Sequence, residues 1–223
     1  MPINATNASI ILLYIVDLFV IVPLYTKKKY DHSTRRNKLI VKGIAIGIPL
    51  LMLLYKSSYT LACGSYHPFI CMLSLGMLLC AFGDIYLEIR FFRGGCFFLA
   101  GHLVYVISVI GTYRNISWIT IASFVILCSA GTYITVTKLD KKYRVPLLIY
   151  NLVISASFAL GLTLVTSLLP FDVLLGSGLM LVVVSVWLLA RNKLYGSNFK
   201  RSLFSLVCYF GGQILISSLV LFI

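Results

Sequence analysis

Along the chain, long apolar runs alternate with short polar stretches that are mostly basic. The runs fall at about 8–26, 38–55, 67–89, 94–112, 116–136, 146–169, 171–190 and 201–222. Each approaches the roughly 20 residues that an α-helix needs to cross the hydrocarbon core of a bilayer. They are apolar all round, without the period-two alternation of barrel strands. The pattern predicts an all-α polytopic membrane protein, a bundle of eight transmembrane helices, with 1–223 forming a single transmembrane domain. Connections such as RFFRG and LPFD are so short that they make consecutive helices antiparallel neighbours. No basic residue precedes the first run and no small-residue cleavage pattern follows it, so it reads as a retained span.

Composition agrees with this picture. Hydrophobic residues make up 60% of the chain and charged residues 11%, against about 25% charged in an ordinary soluble domain. The mean hydropathy is +1.00. A soluble particle of this size could not be covered with so little polar surface.

A net charge of +13 raises the question of nucleic acid. Its placement answers it. The first, third, fifth and seventh loops hold six, two, four and four Lys/Arg, while the other connections hold only Lys56 and Arg114. This is the positive-inside asymmetry. It places the odd loops in the cytoplasm, against anionic leaflet lipid, with both termini on the far side and no nucleic acid as partner. The membrane would be the endoplasmic reticulum in a eukaryote and the inner membrane in a bacterium. Three glycosylation sequons, at Asn4, Asn7 and Asn115, fall on the far side and hug the membrane.

The cysteines, Cys63, Cys71, Cys80, Cys96, Cys128 and Cys208, show no CxxC spacing and read as small apolar packers. His102 has no second His or Cys at ligand spacing, and His32 and His67 lie in a loop and at a span end. No metal is called for.

The informative residues are the polar ones inside the runs, because a charge in hydrocarbon costs roughly 2.5–3.5 kcal/mol on insertion scales and so turns inward to a partner. Lys42 lies a few residues into the second run, and Asp84 and Glu88 lie one turn apart near the end of the third. His102, Tyr150, Asn151, Ser185, Tyr209 and Gln213 fall in the same, cytoplasmic half of their runs, and Asp17 sits near the middle of the first. A shared depth predicts a polar, water-accessible cavity opening toward the cytoplasmic leaflet.

The order of these residues carries a resemblance. Lys42 in the second run is followed by Gly83-Asp84 in the third and GCFFLAGHLVY in the fourth, with Gly95, Gly101, His102 and Tyr105. VPLLIYNLVISASFAL and YFGGQILI follow in the sixth and eighth. The chain resembles the YhhN-type lysoplasmalogenase family of eight-span membrane proteins over nearly its whole length.

The resemblance implies hydrolysis of the vinyl ether bond of a lysoplasmalogen, giving a fatty aldehyde and a glycerophospho-alcohol, with no cofactor and water as the co-substrate. Proton transfer to the β-carbon of a vinyl ether gives an oxocarbenium ion. Water adds to it, and the hemiacetal collapses. The reaction needs a general acid, a stabiliser of positive charge and a positioned water, and two carboxylates can divide this labour. Asp84 is then the principal acid or base and His102 its partner or proton shuttle. Lys42 faces the substrate phosphate, Tyr150 and Gln213 orient the head group or water, and Tyr105 and Ser185 complete the substrate-binding set. The family pattern carries a second aspartate after a serine in the seventh span, where this chain has Ser185-Val186. Asp17 and Glu88 are the candidates for the second acid.

Two other readings stand beside hydrolysis of a lysophospholipid or ether lipid in the bilayer. One is a member without turnover that binds or senses lysolipid, suggested by Val186. The other is a transporter of a lipid or small solute, against which stands the lack of paired broken helices in related halves. The oligomeric state is not encoded in any of these features.

Overall fold

In a computed structural model of the chain, residues 5–31, 34–64, 67–113, 116–138 and 141–222 are described. They are helical throughout, without a strand among the described residues. The first span is composite: α1 (Ala5–Val16) runs into a π-helical segment, Asp17–Ile21, and then into α2 (Val22–Tyr30). The remaining spans are α3 (Arg35–Ala62), α4 (Pro68–Ile89), α5 (Phe91–Tyr113), α6 (Trp118–Lys138), α7 (Lys141–Thr166), α8 (Pro170–Tyr195) and α9 (Phe199–Ser217), closed by a short 3₁₀ turn, Ser218–Leu221.

Among the described residues, eight helices are long and apolar enough to cross a membrane. The protein is an all-α polytopic membrane bundle. Its outer surface is a lipid-compatible coat of large apolar side chains, including Leu12, Phe19, Leu51, Ile121 and Ile126. Helices pair most backbone groups internally, as the hydrocarbon demands.

The second helix is longer than its apolar run. Thr34 caps the start of α3 by accepting from the Asn37 amide, so Arg35 and Arg36 are already helical. At the other end Ser58 and Thr60 fold their hydroxyls onto the carbonyls of Tyr55 and Ser57, which lets the helix continue to Ala62 through polar sequence. The first span likewise carries its helix through Lys27, Lys28 and Lys29 to Tyr30.

α9 is the central post. Of its most apolar stretch 67% is buried, against 11% for α6, which packs on the rim against α7. α9 touches α8, α2 and α3, and α4 and α5 form the most extensive interface. Tyr30 reaches Ser202 at 2.9 Å and Ser197 at 3.1 Å, and Arg35 reaches the Glu88 carbonyl at 3.0 Å. These contacts gather the first, third and seventh loops at one end of the bundle. At the opposite end Tyr113 donates to Asp172, and the Phe69 ring packs against both Tyr113 and Phe171. Asn7 lies in the first turn of α1. Asn4, Asn115, Arg114 and His32 fall outside the described residues.

Candidate active site

The site begins at the contact of α4 with α5. Gly76 and Gly83 on α4 meet Gly94 and Gly101 on α5, and no side chain would fit at any of the four. A Cβ at Gly76 would come within 2.5 Å of the Tyr105 ring, one at Gly83 within 2.7 Å of Phe98, and one at Gly101 within 2.6 Å of Cys80 Sγ. Small residues let two helices in a membrane approach to backbone contact. This close approach carries Asp84, next to Gly83, to the wall of the bundle interior, where it is 3% exposed.

Lys42 comes to meet it from α3. Its ammonium lies 3.1 Å from Asp84 Oδ1 and 3.6 Å from Glu88 Oε1, and it donates to the Asp84 backbone carbonyl at 3.0 Å. The ammonium thus has three oxygens of this cluster within 4 Å, where the sequence suggested a substrate phosphate. Tyr25 of α2 donates to Glu88 Oε1 at 2.5 Å, and the Lys42 ammonium sits 5.6 Å from the Tyr25 ring centroid. Two carboxylates therefore share one buried ammonium. Asp84 Oδ2 is buried without a hydrogen-bond partner, and so is the Tyr209 hydroxyl. The two are close neighbours, but they do not meet in bonding geometry.

A second polar group lies deeper. Tyr105 donates to Gln213 Oε1 at 3.2 Å, with Cys80 beside both residues and Tyr150 packed nearby. Cys80 precedes Asp84 by one turn and so links the two groups along one face of α4. Gln213 Nε2 is buried without a partner.

His102 is placed differently from the expectation. It is fully buried, but Nδ1 faces Ser157 of α7 at 3.4 Å, and its ring meets Tyr105 edge-on at 6.1 Å. Gly101 takes the position on α5 that faces α4, and the next residue turns about 100° away at 3.6 residues per turn. The hydrogen-bonding partner of His102 is therefore Ser157 rather than Asp84. Ser185 is buried against α9, where its carbonyl accepts from Ser205 at 3.1 Å. Asp17 occupies a separate pocket beside Tyr14, near Ser217, with both carboxylate oxygens unpartnered. Of the two candidate second acids, Glu88 stands at Asp84 and Asp17 does not share its lysine.

The polar groups converge, but not around the expected open chamber. The seam between Ile46, Pro49, Met77, Tyr209, Phe210 and Gln213 is too narrow for a water molecule. Among the described residues no three His, Cys, Asp or Glu side chains come together as a metal site. Sequence reasoning passed over Tyr25, Cys80, Ser157 and Arg35. Cys80 could have been found from its four-residue spacing to Asp84, whereas Tyr25 sits in a basic, interfacial stretch that reads as a membrane anchor.

The YhhN family model matches residues 38–220. The chain belongs to the YhhN family. The match takes in Lys42, Asp84, Glu88, His102, Tyr105 and Gln213, and begins beyond Asp17, Tyr25 and Arg35. Compared with curated proteins and with solved structures, the chain has no match.

Proposed function

We propose that this YhhN protein hydrolyses the vinyl ether bond of lysoplasmalogens within the membrane, releasing a fatty aldehyde and a glycerophospho-alcohol. The observation that carries the reading is the pair of carboxylates, Asp84 and Glu88, held on the one buried ammonium of Lys42. Lys42 is the cation in contact with both acids, and Lys29 adds its charge near Glu88 alone. Glu88 Oε1 receives Tyr25 and Lys42 as donors and suits the ionised form. Asp84 Oδ2 has no donor and suits the proton.

The chemistry follows from that division. Asp84 Oδ2 gives its proton to the vinyl β-carbon, and the electron pair of the double bond forms the new C–H bond. Positive charge develops on the ether carbon and oxygen. The Asp84 carboxylate just formed, with Glu88 behind the lysine, stabilises that charge. Water adds to the oxocarbenium carbon and returns a proton to Asp84, and the hemiacetal then collapses to aldehyde and alcohol. Glu88 thus takes the place of the second family aspartate, whose position is held by Val186. Lys42 fixes the two acids, and the closed seam beside Tyr209 and Gln213 has to part for the alkenyl chain to reach them. The basic end of the bundle faces the cytoplasm in this reading.

The test is aldehyde release from a 1-alkenyl lysophospholipid by the purified protein in nanodiscs. Release by the natural sequence and its loss in Asp84→Asn support the proposal. No release by the natural sequence overturns it. A second reading, a lysolipid-binding member without turnover, is favoured by Val186 together with the closed seam beside Tyr209. It predicts lysolipid binding without aldehyde and a gain of release in Val186→Asp.

A further inference from the structure

A groove of about 540 Å³ opens at the basic end of the bundle, between the start of α3 and the end of α4. It is lined by Arg35, Arg36, Leu39, Ile40 and Ile89. We infer that this groove is the head-group site for a single-chain glycerophospholipid, with Arg35 and Arg36 on its phosphodiester and Leu39, Ile40 and Ile89 along its glycerol and first chain carbons. The assignment rests on the lysolipid reading above, and it gives the phosphate to a different cation from Lys42.

Three observations carry it. The lining is amphiphilic in the right sense, two guanidinium groups at one edge and three aliphatic side chains for the rest. Arginine's planar fork matches a phosphate better than an ammonium does. Next, both arginines stand in the first turn of α3, which has no acidic residue. Cations there oppose the helix dipole, so helix stability does not explain their position, while an anion bound between them would satisfy both the arginines and the dipole. Arg36 makes no hydrogen bond or ion pair among the described residues, and Arg35 spends one nitrogen on the Glu88 carbonyl at 3.0 Å.

The third observation is distance. Arg35 reaches the Glu88 carbonyl at 3.0 Å, and Asp84 lies four residues back along α4, about 6 Å at 1.5 Å per residue. In a 1-alkenyl lysophospholipid, seven bonds separate the phosphorus from the vinyl β-carbon. An extended chain gains about 3.5 Å per three bonds, so the two are about 8 Å apart. A phosphate held by Arg35 would therefore put the β-carbon near the depth of Asp84 along the bundle axis.

The experiment uses a 1-alkyl ether lysophospholipid, which cannot be hydrolysed, and the matching 1-alkylglycerol, which lacks the phosphodiester. Binding of each is measured by native mass spectrometry of the full chain in nanodiscs. Loss of two charge-assisted contacts in Arg35→Gln/Arg36→Gln should weaken the lysophospholipid by at least ~10-fold and leave the alkylglycerol within about twofold. Arg35→Lys/Arg36→Lys keeps the charges and should recover part of the loss, which guards against a merely unfolded variant. Equal weakening of both ligands, or no change in either, overturns the head-group site. If the natural sequence releases no aldehyde from the alkenyl lipid but the phosphate-dependent binding pattern holds, the hydrolase reading fails and this site stands.

Discussion

Lys42 Nζ lies 3.1 Å from Asp84 Oδ1, with each side chain 5% exposed. In the interior of a membrane bundle this pair cannot be replaced by solvent, so its value shows most clearly when one member is removed.

Removing the lysine alone leaves the buried Asp84 and the half-buried Glu88 without their shared cation. Lys42→Met should lower stability by about 3–5 kcal/mol, the cost of breaking a buried pair from one side. Lys42→Met/Asp84→Asn/Glu88→Gln removes both partners' charges and should recover much of that loss. Thermal unfolding in one detergent, followed for both variants, checks the order. A single variant as stable as the natural protein would mean that the three groups do not interact as described.

The acids should separate in activity. General acid–base groups typically supply about 10²–10⁴-fold, so Asp84→Asn should lose at least ~100-fold in aldehyde release. Glu88→Gln keeps a partner for Tyr25 and removes the charge, and a loss of about tenfold or more is expected if it stabilises the oxocarbenium ion. Asp17→Asn should retain release. Loss in Asp17→Asn with retention in Glu88→Gln would exchange their roles. The readout is initial aldehyde production at saturating lysolipid.

The glycines divide into two classes that a single measurement can tell apart. Gly76→Ala and Gly101→Ala drive a methyl group into Tyr105 and Cys80, and overpacking of this kind costs about 1–3 kcal/mol. Gly95 and Gly111, on the same helix α5 or its end, have open space where a Cβ would be. Alanine there should be neutral or stabilising by up to about 1 kcal/mol through helix propensity. Comparing melting temperatures of the four variants tests whether the α4–α5 contact is as close as described, because a loose interface would give all four the same sign.

These outcomes follow how the structure was, and was not, legible from residues. The spans could be read because hydrocarbon demands uninterrupted apolar runs, and the depth of Lys42, Asp84 and Glu88 could be read because each sits a few residues from the same end. Depth along a helix is encoded in position. Rotation about its axis is not, when the run is apolar all round. That is why His102, expected at Asp84, lies against Ser157, and why the sequence does not show Tyr25 on Glu88. Only neighbouring helices decide such facings, and glycines such as Gly101 set them by choosing which side goes to backbone contact. The open cavity was inferred from shared polarity, but polar groups that satisfy one another can close on themselves, as Lys42 does with its two acids.

Asp17 presents the opposite case to Asp84. It is fully buried in the π-helical segment of the first span, and neither oxygen has a hydrogen-bond donor or a cation. A π turn inside an α-helix is uncommon and locally weakens the regular bonding, so two features at one position work against stability. Burying a polar group without a partner costs about 1–3 kcal/mol by protein mutational data. Asp17→Asn removes the ionisable group and adds two donors beside the neighbouring Tyr14 hydroxyl. It should therefore raise stability, by about 1 kcal/mol or more. Asp17→Leu should also gain, since an apolar side chain needs no partner there. Thermal unfolding of both variants, read beside the aldehyde assay, gives the answer. Stabilisation with release retained would mark Asp17 as a strained acid outside the reaction. Destabilisation of both variants would mean that the carboxylate supports the first span and is not a strained acid.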